Sequence, residues 1–287
     1  MGFIAIVGTG ALGGAVAHAL AVRDRVHEVR LIDDEGSVAR GKALDIQQSS
    51  PIDGFSVRLT SADTIDAAIG AEVVVIADPS STAAARAAGG SGEHAGEAGL
   101  GLVRHLERAG HRAPIVCAGA TQRELIQKSV GELHLSRARV LGSAPLALES
   151  ALRALAGIII DGSGVEVSLR VVGTPPHHAV VAWEEATAFG QPLSSQMPPH
   201  AMAGLSARIP SLWPPGPYAL ASAAARVVEA IVNGSRRRFS CFVAVGTGRP
   251  AVCAMPVQLG PSGVTQVHEP SLTRQERTLV ENAVEKS

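Results

Sequence analysis

The run Gly8-Thr9-Gly10-Ala11-Leu12-Gly13 is the part of this chain whose residue types and spacing most directly suggest chemistry. It follows the apolar stretch Phe3 to Val7 and opens an apolar helical pattern. A first glycine permits a tight turn, a second lets backbone approach a diphosphate, and a third lets helix and strand pack closely. The N–H groups left unpaired at the helix start would face the anion. Asp33 closes the next β-rich run twenty positions after Gly13. A carboxylate there accepts hydrogen bonds from an adenosine ribose and repels a 2′-phosphate, which points to NAD rather than NADP. Its neighbour Asp34 reads as solvated.

These groups need a parallel sheet to position them. Phe3 to Val7, Glu28 to Ile32, Phe55 to Leu59, Glu72 to Ala77, Pro114 to Ala118 and Arg139 to Leu141 read as strands, several of them separated by helix-length segments. Continuous apolar runs such as Val73 to Ile76 predict strands buried on both faces, as in a doubly wound α/β sheet. Ser80 to Gly101 interrupts that order. Its small-residue part, Ser80 to Gly92, reads as a mobile loop. After about residue 142 the pattern changes to a helix over Leu146 to Leu155, strands near Val165 to Val172 and a Pro-rich passage from Gln191 to Pro217. A helix over Pro217 to Asn233, with Pro at its start and Gly234 beyond its end, leads to strands near Phe239 to Val245 and Ala251 to Leu259. A closing helix begins near Ser271. The reading is a dinucleotide-binding domain over 1–142 and an α+β domain over 143–287.

Composition narrows the partners. The 287 residues are 46% hydrophobic, enough for two cores, and carry a formal charge of −1. Arg236 to Arg238 is the densest cationic run, so neither nucleic acid nor an anionic membrane is an expected partner. A small molecule fits better. Cys117, Cys241 and Cys253 are far apart and read as reduced core residues. The first strand starts almost at Met1, with no room for a signal segment, and no stretch is long and apolar enough to span a bilayer. A cytoplasmic location is expected. His177 and His178, with Glu184 and Glu185 beyond them, lack the paired spacing of a known metal site, so no metal is expected.

Longer segments carry a resemblance. "FIAIVGTGALGGAVAHAL", "LIDDEGSVARGKALDIQQSSP", "VVVIADPSS", "RVLGSAPLALESAL" and the C-terminal stretch from "ALASAAARVVEAIVNG" to "LTRQERTLVENA" resemble, in order and spacing, the lactate/malate dehydrogenase family. The resemblance implies an NAD-binding Rossmann sheet followed by the family's α+β domain. It also implies an oxidoreductase transferring hydride between NAD and a 2-hydroxy acid, with a 2-oxo acid as the reverse substrate. Gly8, Gly10, Leu12 and Asp33 would contact NAD, Gly13 would complete the turn, and Ala77 would lie against the cofactor. A homodimer or homotetramer is implied, paired through helices that include the counterpart of Ala39 to Gln48.

The same resemblance locates the family's acid–base parts. Its catalytic His sits in a Gly-x-His-Gly-Asp loop, whose counterpart here is Gly173-Thr174-Pro175-Pro176-His177-His178. Pro175 takes the His position, and its side chain carries no proton. The family's Leu-Asp-x-x-Arg becomes Leu148-Glu149-Ser150-Ala151-Leu152. Glu149 keeps an acid, but Leu152 removes a guanidinium fork that would clamp the substrate carboxylate. Ala118-Gly119 replaces an Asn-Pro pair. Of two loop arginines, Ser80 and Arg86 occupy the spacing, leaving Arg86 as the candidate catalytic arginine. His177 or His178 would have to replace the lost imidazole, oriented by Glu149. Two outcomes stay open: a dehydrogenase of weak or altered activity, and an inactive pseudoenzyme serving as sensor or assembly partner.

Overall fold

A computed structural model of the chain describes residues 2–80, 92–246, 248 and 250–285. Every residue of β1 (Ile4–Val7) and β4 (Val73–Ile76) is buried, as strands covered by helices on both faces must be. They lie side by side. Beyond β1 come β2 (Glu28–Ile32) and β3 (Arg58–Ala62); beyond β4 come β5 (Ile115–Cys117) and β6 (Val140–Gly142), all parallel. The strand order reverses between β1 and β4, which opens a crevice beyond their carboxyl ends. Val7 pairs with Ile32 on one side and Ile76 on the other, so Gly8, Asp33 and Ala77 leave the sheet together.

The helices α1 (Ala11–Arg23), α2 (Gly36–Asp53), α3 (Gly96–Arg108) and α4 (Arg123–Gly131) connect these strands. α1 buries Leu12, Val16 and Leu20 at helical spacing. Most of the small-residue run expected to be a mobile loop, Arg86 included, lies outside the described residues. The end of the larger interruption is helical, because α3 starts at Gly96 and buries Leu100, Val103 and Leu106.

The sheet continues past β6 with a change of direction. A single pairing, Gly142 with Phe242, joins β6 antiparallel to β12 (Ser235–Val245), which is followed by β13 (Ala251–Gly260), β8 (Val171–Thr174) and β9 (His178–Val181). β14 (Gly263–Val267) also pairs with β13, and β7 (Val167–Ser168), β10 (Thr187–Ala188) and β11 (Gln191–Pro192) form a small separate sheet. Around them lie α5 (Ala144–Ile159), α6 (Pro199–Ala207), α7 (Pro217–Asn233) and α8 (Arg274–Glu285).

Two apolar cores result. One surrounds the parallel strands and takes in α7; the other lies among α5, β8, β9 and the segments that follow. α5 serves both, giving Ala144 and Ala147 to the first core and Leu148, Leu152 and Ala156 to the second. All three cysteines are buried and free, and burial pushes the Cys117 and Cys253 thiols up to about 12. Buried apolar surroundings of this kind disfavour the thiolate, as in structural core cysteines. Among the described residues no helix is long and apolar enough to cross a membrane.

Candidate functional site

The glycine turn forms as its sequence requires. Gly8 has φ +93°, and its N–H donates to the Ile32 carbonyl at 2.8 Å. A Cβ there would run into the Asp78 backbone, so only glycine fits without strain. At Gly10 the obstacle is different: the volume a Cβ would take holds the Asp78 carboxylate. That carboxylate accepts the N–H of Leu12 at 3.1 Å and the N–H of Gly13 at 2.8 Å. These belong to the first turn of α1, whose donors have no partner within the helix and form the positive end of its dipole. On the outer side of the turn, the Lys42 ammonium reaches across from α2 and donates to the carbonyls of Thr9 and Gly10.

Asp33 stands where β2 ends and is 7% exposed. Its Oδ2 accepts from Thr9 N at 2.7 Å and Ser80 N at 2.9 Å, while Oδ1 accepts from Ser80 Oγ at 2.6 Å and Glu35 N at 3.1 Å. Burial alone would raise its pKa, but hydrogen bonds led by that of Ser80 outweigh it and hold the carboxyl below the usual range. The carboxylate is ionised and fully engaged by the chain itself.

Where β4 and β5 end, another set of side chains closes in. The His94 N–H donates to Ala77 O at 2.8 Å, and the Gln122 side chain donates to His94 O at 2.8 Å while accepting from Gly119 N at 2.8 Å. Glu93 accepts from the N–H groups of Ala120 and Thr121 at 2.9 and 2.8 Å. Its carboxylate takes the space a Cβ on Gly119 would need. Burial depresses the His94 pKa, opposed by the negative charges of Asp33, Asp34 and Asp78, which places this imidazole in the field of the acids lining the crevice. Asp78, Glu93 and His94 were not singled out as site residues from the sequence. The available signal was position, since Asp78 directly follows Ala77.

The second half brings together a different set. Glu149 is 2% exposed; one carboxylate oxygen accepts from Arg170 at 3.1 Å and the other from Ser240 Oγ at 2.7 Å. Burial raises its pKa, opposed first by the Arg170 charge and then by the Ser240 hydrogen bond. Leu152, one turn on, is wholly buried among Leu148, Val171, Leu205 and Ile209. The stretch after β8 is a tight hairpin in which Thr174 pairs with His178 across a turn made by Pro175, Pro176 and His177. Pro175 is buried, whereas His177 and His178 are exposed. Glu149 therefore does not orient either imidazole. Among the described residues no group of three or more His, Cys, Asp or Glu is placed to hold a metal.

Residues 3–92 match the model of the lactate/malate dehydrogenase NAD binding domain. Over 96% of this chain and 92% of the relative, the sequence is 25% identical to malate dehydrogenase of Thermomicrobium roseum. The malate dehydrogenase structure from Salinibacter ruber superposes with a TM-score of 0.84 at 22% identity, covering 99% of this chain and 94% of that one. Over nearly its whole length the chain resembles the lactate/malate dehydrogenase family. Lactate dehydrogenase of Cryptosporidium parvum, solved with lactic acid and NAD, shares the fold at TM-score 0.83 and 20% identity, over 99% of this chain and 95% of the other.

The resemblance implies NAD, and residues 3–92, which match the NAD binding domain, include the turn and Asp33. The contents of that site do not fit a bound dinucleotide as they stand. Asp78 holds two helix N–H groups that a diphosphate would need, and Thr9, Glu35 and Ser80 take the oxygens of Asp33 that a ribose would need.

Proposed function

We propose that this chain is a member of the dehydrogenase family that does not perform the family's hydride transfer and acts through assembly. One observation carries the reading: the acid retained at the orienting position, Glu149, is buried on Arg170 and Ser240, while both nearby imidazoles project into solvent. General acid–base assistance contributes roughly 10²–10⁴-fold to such reactions, and it needs donor and orienting group within hydrogen-bond reach. Leu152 removes substrate attraction as well, because a buried methyl cluster offers no donor to a carboxylate.

NAD is the nucleotide that the family and the turn imply. Gly8, Gly10, Leu12, Gly13, Asp33 and Ala77 would hold it once the side chains now filling the crevice had moved. Assembly is supported by the outer faces of α1, α2 and α7, where a cavity of about 620 Å³ is lined by Ala15, Val22, Ile46 and Tyr218. Tyr218 is 83% exposed. An aromatic ring left so bare suits contact with a second copy.

Steady-state assays of NADH oxidation with oxaloacetate and with pyruvate test the main reading. The expected rate equals that of protein-free controls. Turnover that disappears in His177→Ala, His178→Ala or Glu149→Gln would establish instead a dehydrogenase with a rebuilt relay.

A further inference from the structure

We infer that Asp78 is a built-in occupant of the anion seat at the start of α1, keeping diphosphate-bearing nucleotides out of the crevice. The donors come from two consecutive N–H groups, Leu12 and Gly13, and both carboxylate oxygens are used, Oδ2 by the first and Oδ1 by the second. The glycine at position 10 leaves room beside the turn, and that room is where the carboxylate lies. Backbone fixes the arrangement from the other side, since Gly10 N donates to the Asp78 carbonyl at 2.8 Å. The side chain thus meets the helix end with the charge sign and the acceptors a diphosphate would bring.

An incoming diphosphate faces two obstacles. It must break two charge-assisted hydrogen bonds to reach the same donors, and it must approach a carboxylate of its own sign in a crevice that already contains Asp33. Lys42 is a cation beside the turn, and it is held on the carbonyls of Thr9 and Gly10. The inference stands apart from the lost proton relay, because it concerns binding and not turnover.

Calorimetric titration of the full chain with NADH and with adenosine tests it, using wild type, Asp78→Gly and the near-isosteric Asp78→Asn. Wild type is expected to show no saturation below millimolar NADH. Both variants are expected to gain at least about tenfold in NADH affinity, and neither to gain affinity for adenosine, which lacks the diphosphate. Micromolar NADH binding by wild type would overturn the inference, whether or not the variants fold. So would folded variants that gain nothing, or that gain equally for adenosine.

Discussion

Leu152 faces the second core and not a cavity that could hold substrate. Where the family resemblance implies an arginine facing substrate, this side chain has no exposed surface and packs in the second core. Leu152→Ala should lower stability by about 2–5 kcal/mol, read from denaturant unfolding, because it removes buried methyl groups and leaves a cavity. Leu152→Arg should cost about 3 kcal/mol or more, since a guanidinium would be buried among aliphatic side chains. Recovery of 2-oxo acid binding by that variant would contradict the packing argument. Glu149 gives a pH signature. Its folded pKa lies above the ordinary 4.5, so the folded state holds the proton more tightly, and this contribution to stability declines as pH rises from about 4.5 through the folded value. Glu149→Gln cannot ionise, so the melting temperature of the variant relative to wild type should improve as pH rises across that window. A constant difference would show that the site does not titrate there. Pro175 and Leu152 stand out in the sequence because neither side chain can carry a proton or a charge, and both are buried. Asp78 was not legible there, because a lone acid at a strand end has no periodicity and its partners are backbone groups 65 and 66 positions away.

Among the elements, the glycine turn and the strands around it were readable because buried parallel strands are continuous apolar runs, as in Val73 to Ile76. β3 was expected over Phe55 to Leu59, yet it pairs with β2 over Arg58–Ala62. The apolar signal there marks buried Phe55 and Val57, whereas the paired residues Thr60 and Ser61 carry no strand-like hydrophobicity. β12 likewise begins at Ser235, before the expected Phe239, because the ladder resumes with Ser235 on Leu259 across a bulge beside three arginines. The hairpin of β8 and β9 was also not foreseen, since two prolines in the turn masked the alternation on either side. The turn itself predicts a backbone effect: Gly8→Ala places a side chain at φ +93° against the Asp78 backbone. A loss of about 1–3 kcal/mol in unfolding free energy is expected. An unchanged stability would mean that the turn relaxes without the contact.

At the scale of the whole molecule, the fold is shared with lactate and malate dehydrogenases along nearly the whole chain, while Asp78 holds the first-turn N–H groups of α1 and Glu149 is buried on Arg170 and Ser240. If assembly is the retained property, light scattering should find a dimer or larger species, and Tyr218→Glu should shift it towards monomer by burying a charge in the contact. A wild type that stays monomeric would leave the α1, α2 and α7 face without that role. The most direct test of the central claim looks for hydride transfer itself. Concentrated protein is incubated with NADH carrying deuterium at its reactive carbon, together with oxaloacetate or pyruvate, and the hydroxy acid is examined by mass spectrometry. The account predicts no deuterated product above the protein-free background. Deuterium in malate or lactate that depends on the protein, and is lost in His177→Ala or Glu149→Gln, would contradict it.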